Sequence, residues 1–393
     1  MKRPVLTLLI LVLSLWTSAC LPSASWRVSK SGEERQTDST SPSTRLRLAV
    51  VGDIMMHASQ IRSGRQKNRT YDYSPFFREI KPYLEQADLA LGNLETTFPG
   101  NHRSPYTGYP RFRSPDALGI ALKTAGFDLL STANNHSMDA GESGVVRTFQ
   151  KLKEWGIQPV GTSAGNRRQS PVLVNKNGLT LSFAAYTYGT NGIPIPPGKD
   201  HRVNRMDEER IRKDIRLSKR QGADYVIVLL HMGSEYQRQP NREQQRWFRS
   251  ILKSGADAVI GAHPHVLQPM TRIKMDGGEK FVAYSMGNFI SDQTQPYTND
   301  GLILYLDLVR EGSSQPVRLQ NVSYVPTYVH KYRQNQVKRF VVIPIDRRNG
   351  NRVVPSYPGL SRISLERTWE RTTSLMSAYE RFPTFSREEG ASP

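Results

Sequence analysis

Five apolar runs in this chain end in residues able to bind a metal ion, and this recurrence constrains the fold more than any other feature. Asp53 follows "LAVV", Glu95 follows "LALGNL", Asn135 and His136 follow "LLSTA", His231 follows "VIVLL", and His263 and His265 follow "AVIGA". Short apolar runs bounded by turn residues read as buried strands. In an open α/β sheet the C-terminal strand ends gather at one rim, and ligands bind there. The five segments are therefore expected to converge on one site.

Between these runs lie amphipathic stretches such as "GVVRTFQKLKEWG" and "QQRWFRSILKSG". Strand and helix patterns that alternate in this way predict an α/β domain, spanning residues 46–349 and completed by the β-rich stretches "VSYVPTYV" and "RFVVIPI". Residues 350–393 are expected to form a C-terminal helical extension and tail, with "SLERTWERTTSLMSAYERF" as the helix and Ser364 at its N-cap.

The N-terminus points to export. Lys2 and Arg3 precede an apolar run from Val5 to Trp16, followed by Thr17, Ser18, Ala19 and the only cysteine, Cys20. That run is short for a bilayer span. Residues 1–20 are similar to a bacterial lipoprotein signal in which Cys20 is lipidated, although Thr17 stands where such signals usually carry Leu. Cleavage after Ala19 and an uncleaved anchor are the other readings, and all three put the domain outside the cytoplasmic membrane. Residues 21–45, rich in Ser and Thr, read as a flexible tether. A net charge of +19 suits an anionic polymer or lipid surface. Neither zinc-finger spacing nor an aromatic RNA signature accompanies it, so nucleic acid is not the expected partner.

Imidazole nitrogens and carboxylate oxygens suit Mn, Zn or Fe. Asp53, Glu95, Asn135, His231, His263 and His265 provide enough donors for two adjacent divalent ions bridged by Glu95, the arrangement that supports in-line displacement at a phosphoryl centre. His136 is the candidate general acid. Taken singly, each residue has a plainer explanation. Asp53 caps a turn, Glu95 follows a Gly-Asn turn, Asp139 caps the next helix, and His231 is a core histidine. Their joint position at strand ends favours a shared site. Ser285 lacks a His-Asp arrangement, which argues against a serine hydrolase.

The segments "VGDIMMH", "LGNLETT", "TANNHSMDAG", "LLHMGSEY", "GAHPHVLQP" and "YSMGNFISD" occur in an order that resembles the CapA/PgsA poly-γ-glutamate capsule-synthesis proteins, over about residues 46–345. Those proteins are similar to the calcineurin-like metallophosphoesterase superfamily. The resemblance implies a four-layer α/β sandwich with two metals at the sheet rim, and a metal-dependent, phosphoesterase-like hydrolase. It implies Asp53 as the first-motif aspartate, Glu95 as the bridging carboxylate, Asn135 and His136 as the Asn-His pair, His231 as the fourth-motif histidine, and His263 with His265 as the final pair. The superfamily's opening Asp-x-His is absent. His57, Asn288 and Asp292 are further candidates for metal or pocket contacts. The implied setting is capsule or poly-γ-glutamate biosynthesis at the cell envelope, with polyglutamate synthase subunits as neighbours. The alternative role is a non-catalytic accessory that holds the anionic polymer near its membrane synthase.

Overall fold

Two β-sheets pack face to face in a computed structural model that describes residues 43–100, 106–275, 278–346 and 356–377. Cys20, the export signal, residues 21–42 of the tether and the expected boundary at 349/350 lie outside the described residues. No helix among the described residues is long and apolar enough to cross a membrane.

The first sheet runs in the order β14 (Val337–Pro344), β13 (Arg318–Gln334), β12 (Asp300–Arg310), β1 (Thr44–Ile54), β2 (Leu89–Leu94), β3 (Leu129–Ser131) and β4 (Gln158–Val160), while β11 (Asn288–Ile290) pairs with the end of β1. Strands β1 to β4 are parallel, and β12 to β14 form an antiparallel extension. Strand β1 begins inside the segment assigned to the tether, because β12 offers Thr44 and Arg45 ladder partners at Arg310 and Val309. The second sheet runs β5 (Val172–Lys176), β6 (Leu179–Thr187), β7 (Tyr225–His231), β8 (Ala258–Ala262), β10 (Gly278–Ala283) and β9 (Met270–Met275), with a parallel centre and antiparallel edges.

Side-chain alternation along β1 explains the layers. Leu46, Leu48 and Val50 face inward onto Leu181, Phe183, Ile227 and Ile260 of the second sheet. Ala49 and Val51 face outward, toward Phe76 and Phe77 of α2 (Ser74–Phe77) and Leu118 and Leu122 of α4 (Ala117–Ala125). Ile61 of α1 (Ala58–Gly64), Leu84 of α3 (Lys81–Leu84) and Leu152 of α5 (Gly141–Glu154) join the same layer. Val226, Val228 and Leu230 cover the other outer face with Ile211 and Ile215 of α6 (Glu208–Arg220) and Phe248, Ile251 and Leu252 of α7 (Arg242–Lys253). The order helix, sheet, sheet, helix is the four-layer α/β sandwich that the resemblance implied.

Local chemistry starts the helices. Asp207 accepts the Arg210 N–H at 2.8 Å ahead of α6, and Asn241 and Gln244 form a reciprocal capping box on α7. The C-terminal helix α8 (Arg362–Ser377) starts on a different cap from the one expected. Ser361 Oγ accepts the Ser364 N–H at 3.1 Å, so Ser364 lies inside the first turn. Helix α8 buries Leu365 beside Val341 and Ile343, and Arg371 and Thr368 hold the buried Asp300 at 2.8 Å.

Candidate metal centre

Strand register sets the first half of the site. Asp53 of β1 is level with Asn93 of β2 and Asn288 of β11, and Asn93 is level with Ser131 of β3. Gly52 permits this rim to form: a Cβ there would lie 1.9 Å from the Gly287 carbonyl oxygen, which accepts the Asp53 N–H at 2.9 Å. The second sheet places Thr187, His231 and Ala262 on one level, and the chain then turns through His263-Pro264-His265. His263 has φ +101° and His265 φ +62°, a left-handed conformation that is costly for residues other than glycine. The turn is tied to the first sheet where the His263 N–H approaches Asp53 Oδ2 at 3.3 Å and His265 Nδ1 lies 3.0 Å from the same oxygen.

These contacts bring together Asp53, Glu95, Asn135, His136, His231, His263 and His265, all buried. Glu95 is at the centre. Its Oε1 has no hydrogen-bond partner, yet His231 Nε2 lies 3.6 Å away, His265 Nε2 3.8 Å and His136 Nε2 3.9 Å. Asp53, Glu95 and His265 form one donor group, and Glu95, His231 and His263 form another, each within 4.8 Å. Asn135 Oδ1 reaches His231 Nε2 at 2.8 Å. An orphaned buried carboxylate oxygen in a residue common to two nitrogen- and oxygen-rich donor groups fits the binding of divalent cations.

The electrostatics agree. Burial, then the Asp53, Glu235 and Asp139 carboxylates, push Glu95 well above the usual carboxylate range. Burial and the neighbouring imidazoles push His231 well below the usual histidine value, and burial first, then His265, lowers His263 to about 3. Neutral imidazole is the ligating form, and a cation beside Glu95 would favour its carboxylate.

His136 is held differently. Its Nδ1 meets Asp139 Oδ2 at 2.7 Å, and its Nε2 faces Asn191 Nδ2 at 3.4 Å. Asp139 therefore does not cap the next helix. The same Oδ2 accepts the Phe112 N–H at 2.6 Å, and α5 starts after Ala140 with no side-chain cap. Nor do Gly92 and Asn93 make a turn before Glu95, since both lie within β2.

A pocket of about 710 Å³ opens onto this cluster, with His57, Phe112, His136, Glu235, Tyr236, His265 and Asp292 on its wall. His57 is outside both donor groups that contain Glu95. Its Nδ1 accepts the Asp292 N–H at 3.2 Å, and burial lowers its pKa to about 4. Asp292 lines the pocket with its carboxylate engaged by Ser59, Lys338 and Lys331. Asn288 is level with Asp53; its Nδ2 donates to Ser291, Gln293 and the Thr298 carbonyl, while its Oδ1 is buried without a hydrogen-bond partner.

Residues 47–293 match the family described as "Bacterial capsule synthesis protein PGA_cap". The chain belongs to this bacterial capsule synthesis family. It is 30% identical over 300 residues to the capsule biosynthesis protein CapA of Bacillus anthracis, covering 70% of each chain. It is 28% identical over 306 residues to the PGA biosynthesis protein CapA of Bacillus subtilis strain 168, covering 75% of this chain and 77% of that one. Among solved structures, the NAD nucleotidase of Haemophilus influenzae aligns at a TM-score of 0.46 and 11% identity, over 86% of this chain and 64% of its own.

Three residues of this PGA_cap site escaped the sequence reasoning. Asn93 donates to Asp53 Oδ1 at 2.8 Å and lies 3.3 Å from both Glu95 Oε2 and His231 Nδ1. Asp139 orients His136, and Glu235 joins His263 and His265 in a third donor group. A signal existed for Asn93 and Asp139. Asn93 is two positions before Glu95, a spacing that puts both on one side of an extended chain, and Asp139 is three positions after His136. Glu235 belongs to a loop, where no periodicity applies.

Proposed function

We propose that this protein is an extracytoplasmic, metal-dependent hydrolase of capsule or poly-γ-glutamate biosynthesis, acting on a phosphoester or amide of a cell-envelope polymer. The observation that carries this reading is the unpartnered, buried Glu95 Oε1 among three imidazole nitrogens. Asp53, Glu95 and His265 would hold one divalent ion, and Glu95, His231 and His263 with Asn135 the other. Bound there, two such ions would polarise the scissile group and supply a nucleophile near neutral pH.

The protein's own groups do the rest. Asp139 accepts the Nδ1 proton of His136 and fixes the ring, leaving Nε2 to deliver a proton to the leaving oxygen or nitrogen. Phe112 packs edge-on against His136, with centroids 4.6 Å apart, and limits water on that side. Asn93 holds Asp53, Glu95 and His231 in register. The test compares metal content and turnover on phosphodiester and polyglutamate substrates. His136→Ala should lower turnover by about 10²–10⁴-fold with metal content intact, whereas the double variant His263→Ala/His265→Ala should lose both. Wild-type turnover in the double variant would falsify the hydrolase.

A second reading, retention of an anionic polymer beside a membrane synthase, is favoured by one surface. Arg62, Arg65, Lys67 and Arg69 are exposed at and beyond the end of α1, with no acidic residue between positions 62 and 69. The β13–β14 hairpin, which adds the exposed Arg333, lies beside them, since Arg339 donates to the Ser63 carbonyl. Changing the four α1-side cations to Gln should release polyglutamate at a lower salt concentration, and an unchanged salt profile would remove this reading. We assign the chain to the outer face of the cell membrane through a lipid on Cys20. Cys20→Ser should move it to the soluble fraction, and a variant that stays membrane-bound would exclude the lipid anchor.

A further inference from the structure

Glu235 is the one carboxylate of the donor groups that is exposed, and no strand end or helix terminus explains its position. We propose that Glu235 is a metal ligand, closing from the pocket side the divalent cation that His263 would hold with Glu95 and His231; this rests on the two-ion reading above. Four observations support it. The Glu235, His263 and His265 donor atoms all lie within 4.8 Å of one another. His263 Nδ1 is buried with no hydrogen-bond partner, although the residue is only 5% exposed. The loop is stitched to the histidine turn by the Tyr236 N–H, which donates to the Pro264 carbonyl at 2.8 Å, so Glu235 is set beside both rings by backbone register. Tyr236 adopts φ +63° there, the same left-handed strain found at His263 and His265.

The loop is also fastened on its far side. Gln268 donates to the Gln237 and Gln239 carbonyls at 2.8 and 3.3 Å, and Arg238 donates to the Arg371 carbonyl of α8 at 3.0 Å. A mobile surface acid would need none of this. Imidazole nitrogen and carboxylate oxygen select a borderline cation such as Mn²⁺, Zn²⁺ or Fe²⁺ over Ca²⁺ or Mg²⁺. Glu235 lines the pocket, so as a ligand it would lower the net charge that the cation presents to a group bound there.

Calorimetric titration of the chelator-stripped full chain with Mn²⁺ tests this, using wild type, Glu235→Gln, Glu235→Asp and the exposed control Glu243→Gln. Wild type and Glu243→Gln should bind two ions alike. Glu235→Gln should weaken one of them by about 10–100-fold and leave the other unchanged, and Glu235→Asp should fall between, with all variants melting as wild type in the stripped state. Unchanged affinities in Glu235→Gln, or equal weakening of both ions, would overturn the assignment of Glu235 alone. A wild-type chain that takes up no Mn²⁺ would overturn the metal centre with it.

Discussion

Asp53, Asn93 and Glu95 lie within a few positions of glycines that carry no chemistry but decide whether it can assemble. At Gly52 a methyl group would meet backbone carbonyls at 1.9 and 2.7 Å, and neither can rotate away. Gly52→Ala should therefore cost about 3 kcal/mol of stability, read by denaturant unfolding. Histidine burial makes a second prediction. Burial lowers the His57 pKa from the ordinary value of 6.5 to about 4 in the folded chain. Between those values the unfolded chain binds more protons, so stability rises with pH through this window and is lost as pH falls from 6.5 toward 4. His231 and His263 shift in the same direction. The melting temperature of stripped protein should fall over that range, less steeply in His57→Asn. An equal slope in the variant would show that His57 is not one of the groups responsible. The ligand-type residues at strand ends were legible from the sequence because an imidazole or carboxylate closing an apolar run is chemically conspicuous. Asn93 and Glu235 were not, since a strand amide and a loop carboxylate look ordinary until their neighbours are known.

Elements with wide apolar faces were legible in the same way. "QQRWFRSILKSG" and "GVVRTFQKLKEWG" became α7 and α5. Helix α6 was missed. Its only buried apolar side chains are Ile211 and Ile215, one turn apart in a highly charged segment, and that stripe is too narrow to stand out. The C-terminal helix was visible, but its cap was misplaced by three residues, because Ser361 and Ser364 are equally good caps in isolation and only the packing of Leu365 chooses between them. Its anchor is the pair of Arg371 and Thr368 on buried Asp300. Arg371→Met should leave that carboxylate with Thr368 but no cation and cost about 2–3 kcal/mol, less than a fully buried pair because Arg371 is 33% exposed. The same variant should disturb Glu235 little, since Arg238 bonds to the Arg371 backbone carbonyl. An undiminished unfolding free energy would show that solvent satisfies Asp300 alone.

At the scale of the whole molecule, the site straddles both sheets. Asp53, Glu95 and Asn135 come from the first, and His231, His263 and His265 from the second. Cation binding should therefore stabilise the sandwich as a unit. Saturation at a hundred times the dissociation constant corresponds to about 2.7 kcal/mol per ion, seen as a rise in melting temperature that EDTA reverses and that His263→Ala/His265→Ala lacks. No rise in wild type would mean that the donor groups are scaffold. The sequence by itself determined that strands and helices alternate, that donors occur at strand ends, and which family these motifs belong to, because side-chain period and residue chemistry are local properties. Only the tertiary structure decided that the rims of two separate sheets meet. It also decided that Glu95 lies between them with an unpaired oxygen, that Asp139 serves His136 and not a helix, and that a loop carboxylate faces the histidine turn. Those facts depend on contacts between residues up to 212 positions apart, such as His265 and Asp53, and no local pattern along the chain encodes a distance of that kind.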